Sequence, residues 1–88
     1  MHHQSHPDII KRLKRAEGHL RSIVAMMEEN RPCAELAQQL HAVEKAVGNA
    51  KRELIHDHVD HCLTDAIGGG SRAVDAALVE FKTLTKYL

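Results

Sequence analysis

A short segment near the middle of the chain holds an unusual density of side chains that can bind metal ions. Residues 55–62 read Ile-His-Asp-His-Val-Asp-His-Cys. His58 and Cys62 stand four residues apart, so on a helix they project from one face, one turn from each other. An imidazole beside a thiolate suits zinc, nickel or copper better than magnesium or calcium. The same spacing also fits a polar helix end with solvated histidines and a buried cysteine, so it leaves both interpretations open.

The composition indicates one small, all-helical domain over residues 1–88. The chain has one Phe, one Tyr and no Trp, so its core must be aliphatic, which favours helices over sheets. A chain this short commonly gains stability by forming oligomers. Two cysteines without a signal peptide are typical of cytosolic thiols, so we expect a cytoplasmic protein. No apolar run approaches the roughly 18 residues of a membrane span, and we therefore expect no membrane partner.

Two apolar stripes predict a helical hairpin. Apolar residues recur in alternating steps of four and three over residues 9–27 and again over residues 36–54. Pro32 should separate the two helices. The triglycine at residues 68–70 should end the second helix near Ala66 and form a flexible turn, and a third, shorter helix should begin at Ser71. Residues 1–6 lack a periodic pattern and are predicted to be a flexible arm.

The length of the central helix decides where a metal site can form. Cys33 precedes His58 by 25 residues, which an unbroken helix converts into about 37 Å. Metal–ligand bonds measure only about 2.0–2.3 Å. Two such helices packed antiparallel would bring Cys33 of one chain beside His58 and Cys62 of the other. The sequence therefore predicts a dimer with an antiparallel four-helix core and two shared sites, whereas a monomeric three-helix bundle would require a broken central helix.

The first helix carries a basic segment. Positions 11–21 contain five basic residues and only one acidic residue, and Lys51 and Arg52 form a second basic cluster. Such a run is ordinarily the solvated face of an amphipathic helix. If it binds nucleic acid, the contacts should be mainly to phosphates, because no helix-turn-helix, zinc-finger or aromatic stacking signature is present.

Nearly the whole chain resembles the CsoR/RcnR/FrmR group of small all-helical transcriptional repressors. The resemblance is carried by residues 12–20 (Arg-Leu-Lys-Arg-Ala-Glu-Gly-His-Leu), by Cys33 with residues 38–43 (Gln-Gln-Leu-His-Ala-Val), and by residues 56–58 with Cys62. It implies hairpin dimers that pair into a tetramer. It also implies that the ligand-free form binds operator DNA and represses an efflux or detoxification operon until an effector releases it.

The resemblance also implies residue roles. The sensor ligands would be Cys33, His58 and Cys62. The DNA contacts would be Arg12, Arg15 and Arg52, supported by Lys11 and Lys14.

The resemblance admits three effectors. The nickel/cobalt-responsive members are nearest over residues 6–13 and 56–63, and they would use further candidate ligands. These candidates are His2, His3 and His6 of the N-terminal arm and His61. A copper(I) sensor would use the Cys-His-Cys triad, although the Tyr that such members often carry before the first cysteine is Pro32 here. A formaldehyde sensor would leave Cys62 without a role, and the proline expected at its second position is His2.

Two other classes of protein are weaker alternatives. A small thiol or zinc hydrolase would need a nucleophile elbow, a phosphate loop or a second domain to form a pocket, and the sequence has none. A helical interaction module without a sensing function needs only the apolar stripes. We therefore expect a nickel- or cobalt-responsive repressor, with copper(I) as the alternative effector, and not an enzyme.

Overall fold

The structure is a computed structural model that describes residues 6–88. It contains helix α1 (His6–Glu28), helix α2 (Cys33–Leu84) and a final 3₁₀ turn (Thr85–Tyr87). No strand occurs within these residues, which confirms the all-α prediction. His2, His3 and most of the predicted flexible arm lie outside the described residues.

The reversal between α1 and α2 follows from the chemistry of its residues. Asn30 adopts φ 58°, a left-handed conformation that asparagine tolerates better than most residues. The Asn30 N–H donates to the Met27 carbonyl, and the Arg31 N–H donates to the Met26 carbonyl, each at 3.1 Å. These two bonds satisfy carbonyls that the helix end would otherwise leave open. Pro32 then precedes α2 with an extended ψ of 140°, so the predicted reversal is confirmed.

Each apolar stripe is divided between the inside and the outside of the hairpin. Alternate members of each stripe are buried: Ile9, Ala16 and Ile23 on α1, and Val43 and Ala50 on α2. The intervening members remain at least 42% exposed. They are Leu13, Leu20 and Met27 on α1, and Leu40, Val47 and Leu54 on α2. One hairpin therefore uses only half of its apolar pattern.

The hairpin is long and thin. Its principal extents are 59 × 23 × 13 Å, and its radius of gyration is 18.0 Å. A compact domain of this length would have a radius of gyration of about 12 Å. The elongated shape and the exposed members of the two apolar stripes agree with the predicted need for a partner chain, although the oligomeric state stays a prediction.

Gly70 breaks α2 into two arms. The backbone remains helical through Gly69, and only Gly70 leaves the helical region, with φ 75° and ψ −168°. The prediction that the helix ends near Ala66 was therefore wrong by three residues, because Gly68 and Gly69 are compatible with helix at a modest cost and only Gly70 takes the positive φ. A Cβ on Gly69 would lie 2.6 Å from the Cβ of Ala73, so the arms approach too closely there for any side chain.

The two arms of α2 fold back on each other. Residues 58–67 of the N-terminal arm (33–69) and residues 74–84 of the C-terminal arm (71–84) line a common groove. The C-terminal arm corresponds to the predicted third helix. Within residues 6–88, no helix is both long enough and apolar enough to cross a membrane.

Candidate metal centre and basic groove

Three potential metal ligands converge where the arms of α2 meet. His58 and Cys62 lie one turn apart on the N-terminal arm, and the break at Gly70 returns the C-terminal arm so that Glu80 faces them. His58 Nε2 lies 2.6 Å from Glu80 Oε1, and Cys62 Sγ donates to Glu80 Oε2 at 3.4 Å. The ligand atoms of the three residues all lie within 4.8 Å of one another. Nitrogen, sulfur and oxygen donors are thus gathered at one point, which fits a borderline transition metal.

The electrostatics of the group couple the thiol to the carboxylate. The hydrogen bond with His58, followed by that from Cys62, lowers the pKa of Glu80. Partial burial raises the pKa of Cys62, and the hydrogen bond to Glu80 and its charge raise it further. Glu80 is therefore a carboxylate that accepts, and Cys62 is a thiol that donates. A metal that binds Cys62 must displace this proton.

An apolar groove leads into the candidate metal centre. It has a volume of about 350 Å³ and runs between the two arms of α2. Its apolar walls are formed by Val59, Leu63, Ala66, Ile67, Val74, Ala77, Leu78, Phe81 and Leu84. His58, Cys62 and Glu80 contribute the polar groups of its lining. Low-dielectric walls strengthen the electrostatic interactions of charged groups beside them.

Glu80 was not among the residues predicted from the sequence. It lies 22 residues after His58, beyond a glycine break whose direction no sequence pattern specifies. One signal was available, because Glu80 lies about 40° around the helix from the apolar residue Leu84. An acidic side chain at that position is a candidate for contact with the histidine segment.

Among the residues that the structure describes, the other predicted ligands do not join this group within one chain. Cys33 is exposed at the first residue of α2. The helix is unbroken from there to Gly69, so about 37 Å separates Cys33 from His58. His61 Nε2 lies 3.4 Å from Asp57 Oδ1, one turn earlier on α2. His6 is half-buried at the start of α1, and His3 lies outside the described residues.

A second groove, here called the basic groove, lies between α1 and the N-terminal arm of α2. Its volume is about 430 Å³. It is lined by Arg12, Arg15, Ala16, His19, Ala46 and Asn49. Two of the three arginines predicted to contact DNA therefore share one surface. Lys11 and Lys14 do not line it.

Hydrogen bonds hold the polar side chains of the basic groove. Arg12 Nη1 donates to Glu53 Oε2 at 2.8 Å. Arg52 donates to Asn49 Oδ1, which draws the third predicted arginine to the edge of the groove. His19 is half-buried, and its Nε2 lies 2.5 Å from Gln39 Oε1 on α2. The groove therefore contains two guanidinium groups from α1, with a third from α2 at its edge, an arrangement suited to binding phosphates.

Comparisons with known proteins agree in the kind of protein that they find. The family model of metal-sensitive transcriptional repressors matches residues 5–86. The copper-sensing transcriptional repressor CsoR of Bacillus subtilis is 42% identical over 80 residues, covering 89% of this chain and 79% of that protein. The copper-sensing transcriptional repressor RicR of Mycobacterium tuberculosis is 35% identical over 77 residues, covering 88% and 80%. Among solved structures, the nickel-responsive transcriptional regulator InrS aligns with a TM-score of 0.85 at 34% identity, covering 100% of this chain and 98% of that chain.

Proposed function

Because the chain belongs to the family of metal-sensitive transcriptional repressors, we propose that it binds operator DNA when metal-free and is released by nickel(II) or cobalt(II). The operon that it controls would encode metal efflux. Residues 1–88 would form a single domain that both senses the metal and binds DNA. The family consists of repressors, so the prediction that the chain is not an enzyme is confirmed.

The convergence of His58, Cys62 and Glu80 carries the choice of metal. With Cys33 from a second chain, the donors would be two thiolates, one imidazole and one carboxylate. Nickel(II) and cobalt(II) accept such mixed sets of four donors, whereas copper(I) favours soft ligands and gains little from a carboxylate. Two of the predicted sensor ligands are thus within bonding range of a common point, and the third donor in the chain is a hard oxygen.

The unbroken helix supports a site shared between chains. Cys33 is exposed and cannot reach His58 of its own chain. The exposed members of the apolar stripes of α1 and α2 form a surface against which a second hairpin can pack to complete a four-helix core. An antiparallel partner would bring its own Cys33 towards the C-terminal end of the N-terminal arm of α2, beside His58. Assembly and metal binding would then require the same packing.

Release from DNA follows from thermodynamic linkage. A metal that binds the DNA-free form more tightly than the DNA-bound form must weaken DNA binding by the same factor, typically by 1–3 kcal/mol. The test is the affinity for DNA that flanks the protein's own gene, measured with and without saturating nickel(II), cobalt(II) or copper(I). Equal affinity in all four conditions would contradict metal-controlled repression. Release by formaldehyde alone would support the third predicted effector.

A copper(I) sensor is the second candidate function. It is supported by the Cys-His-Cys triad and by the copper-sensing relatives in Bacillus subtilis and Mycobacterium tuberculosis. Two thiolates and one imidazole satisfy three-coordinate copper(I), and Glu80 would then serve only as a hydrogen-bond acceptor. Anaerobic titration of the reduced protein distinguishes the metals. Nickel(II) and cobalt(II) bound to thiolate give visible absorption bands, and the cognate metal should be the one whose binding weakens the affinity for DNA.

A further inference from the structure

One arginine of the basic groove is paired with an acidic residue of α2. Arg12 Nη1 donates to Glu53 Oε2 at 2.8 Å, and the two side chains are 50% and 46% exposed. Arg12 also lines the groove together with Arg15. A phosphate that approaches Arg12 therefore meets a carboxylate that already occupies part of its guanidinium group.

This ion pair differs from the other arginine–glutamate pairs found within residues 6–88. The Arg21–Glu17 and Arg31–Glu35 pairs each join residues four apart on the chain, as helical spacing commonly allows. The Arg12–Glu53 pair spans 41 residues and joins α1 to α2. It therefore depends on how the hairpin packs. Arg52, by contrast, is held by the amide oxygen of Asn49, which carries no opposing formal charge.

We propose that Glu53 is an intramolecular competitor of operator DNA, which neutralises Arg12 until a phosphate displaces it. The inference rests on the proposed role of Arg12 as a phosphate contact. Both side chains are half exposed, so a phosphate can reach the pair and separate it without unfolding either helix. Phosphate contacts carry little sequence information, so Glu53 lowers the affinity for all DNA sequences alike.

The size of the effect follows from the exposure of the pair. Exposed ion pairs contribute an amount that corresponds to roughly 1.4- to 5-fold in an equilibrium constant. If two grooves contact one operator, removing the carboxylate should raise DNA affinity by roughly 2- to 25-fold. The slope of log affinity against log salt depends on the number of phosphates neutralised, and Arg12 neutralises the same phosphate once Glu53 is displaced, so this slope should stay close to that of the wild type.

The experiment compares Glu53→Gln with a matched control. Glu28→Gln removes the same charge from an exposed position about 24 Å along α1 from Arg12. Binding to operator and to scrambled DNA is measured at several salt concentrations, after circular dichroism has shown intact helices. Glu53→Gln should bind both DNAs more tightly by the same factor with little change in the salt slope, and Glu28→Gln should stay close to wild type. Glu53→Ala should behave like Glu53→Gln, which excludes an effect of the new amide.

Combining Glu53→Gln with Arg12→Ala separates this inference from the proposed function. If Glu53 acts through Arg12, the gain should disappear in the Arg12→Ala background. A gain that persists there beyond that of Glu28→Gln would overturn the inference, as would unchanged or weaker binding by Glu53→Gln alone. If Arg12→Ala weakens binding while Glu53→Gln has no effect, the phosphate contact stands and only the competitor role fails. If Arg12→Ala leaves binding unchanged, the proposed contact itself is wrong.

Discussion

Replacing Glu80 by glutamine should distinguish the two candidate metals. Its two oxygens contact both His58 and Cys62, at 2.6 and 3.4 Å. If Glu80 is a ligand of nickel(II), Glu80→Gln removes one donor and releases the other two from their common partner. Loss of a group that orients metal ligands typically costs 10- to 100-fold in metal affinity, so we expect a loss of about this size or larger for nickel.

Copper(I) should respond to the same change in a different way. Partial burial raises the pKa of Cys62, and Glu80 raises it further through its hydrogen bond and its charge. Glu80→Gln should therefore lower this pKa and make the thiolate easier to form. If copper(I) is bound by the triad without the carboxylate, its affinity at neutral pH should stay equal or rise. Glu80→Gln should thus weaken the binding of nickel(II) without weakening the binding of copper(I).

The assay is a competition titration of each metal against a chelator, with the reduced protein under anaerobic conditions. Asp75→Asn is the matched control, because it removes one charge from the same arm at an exposed position, about 140° around the helix from Glu80. Unchanged affinity for nickel(II) in Glu80→Gln would refute the assignment of Glu80 as a ligand. An equal loss for both metals would indicate that the carboxylate only positions His58 and Cys62.

Three further predictions concern assembly, the break in α2 and pH. Cys33→Ala and the double variant His58→Ala with Cys62→Ala should each lose tight metal binding. Mixing the two variants should restore one site per mixed dimer, as measured by metal titration after subunit exchange. If mass measurement verifies the exchange and tight binding does not return, the site is not shared between chains. Gly70→Ala should destabilise the fold by about 1–3 kcal/mol in thermal unfolding, because φ 75° with ψ −168° is accessible almost only to glycine. The control Gly18→Ala should not destabilise the fold, because a Cβ added at Gly18 meets no atom within 4 Å. Because the pKa of Cys62 is raised, protons should begin to compete with the metal for its sulfur at a higher pH than for an ordinary cysteine as the solution is acidified. Below that pH, metal affinity should fall by about tenfold per pH unit for each thiol that must ionise. In Glu80→Gln this decline should begin at a lower pH.

The parts of the fold that depend on local rules were predictable from the sequence. Alternating steps of four and three in the apolar pattern predicted both helices, and Pro32 with Asn30 marked the reversal between them. The partition of each stripe was not predictable, because a heptad pattern does not say which alternate members pack inside the hairpin. That choice also sets the register that brings Arg12 to Glu53, 41 residues away. The pair could therefore be found only once the two helices were seen packed.

The candidate metal centre shows the same division between local and non-local rules. His58 and Cys62 were predictable because four residues of helix bring them to one face. Glu80 was not, since its approach depends on the φ and ψ of Gly70, and a run of three glycines permits many directions. The rise of a helix allowed a different kind of inference for Cys33. It excluded contact with His58 of the same chain, and the unbroken backbone from Cys33 to Gly69 preserves that exclusion. The length of the rigid helix therefore implies a partner chain. If a Cys33 binds the metal together with His58 of this chain, a second chain must supply that Cys33.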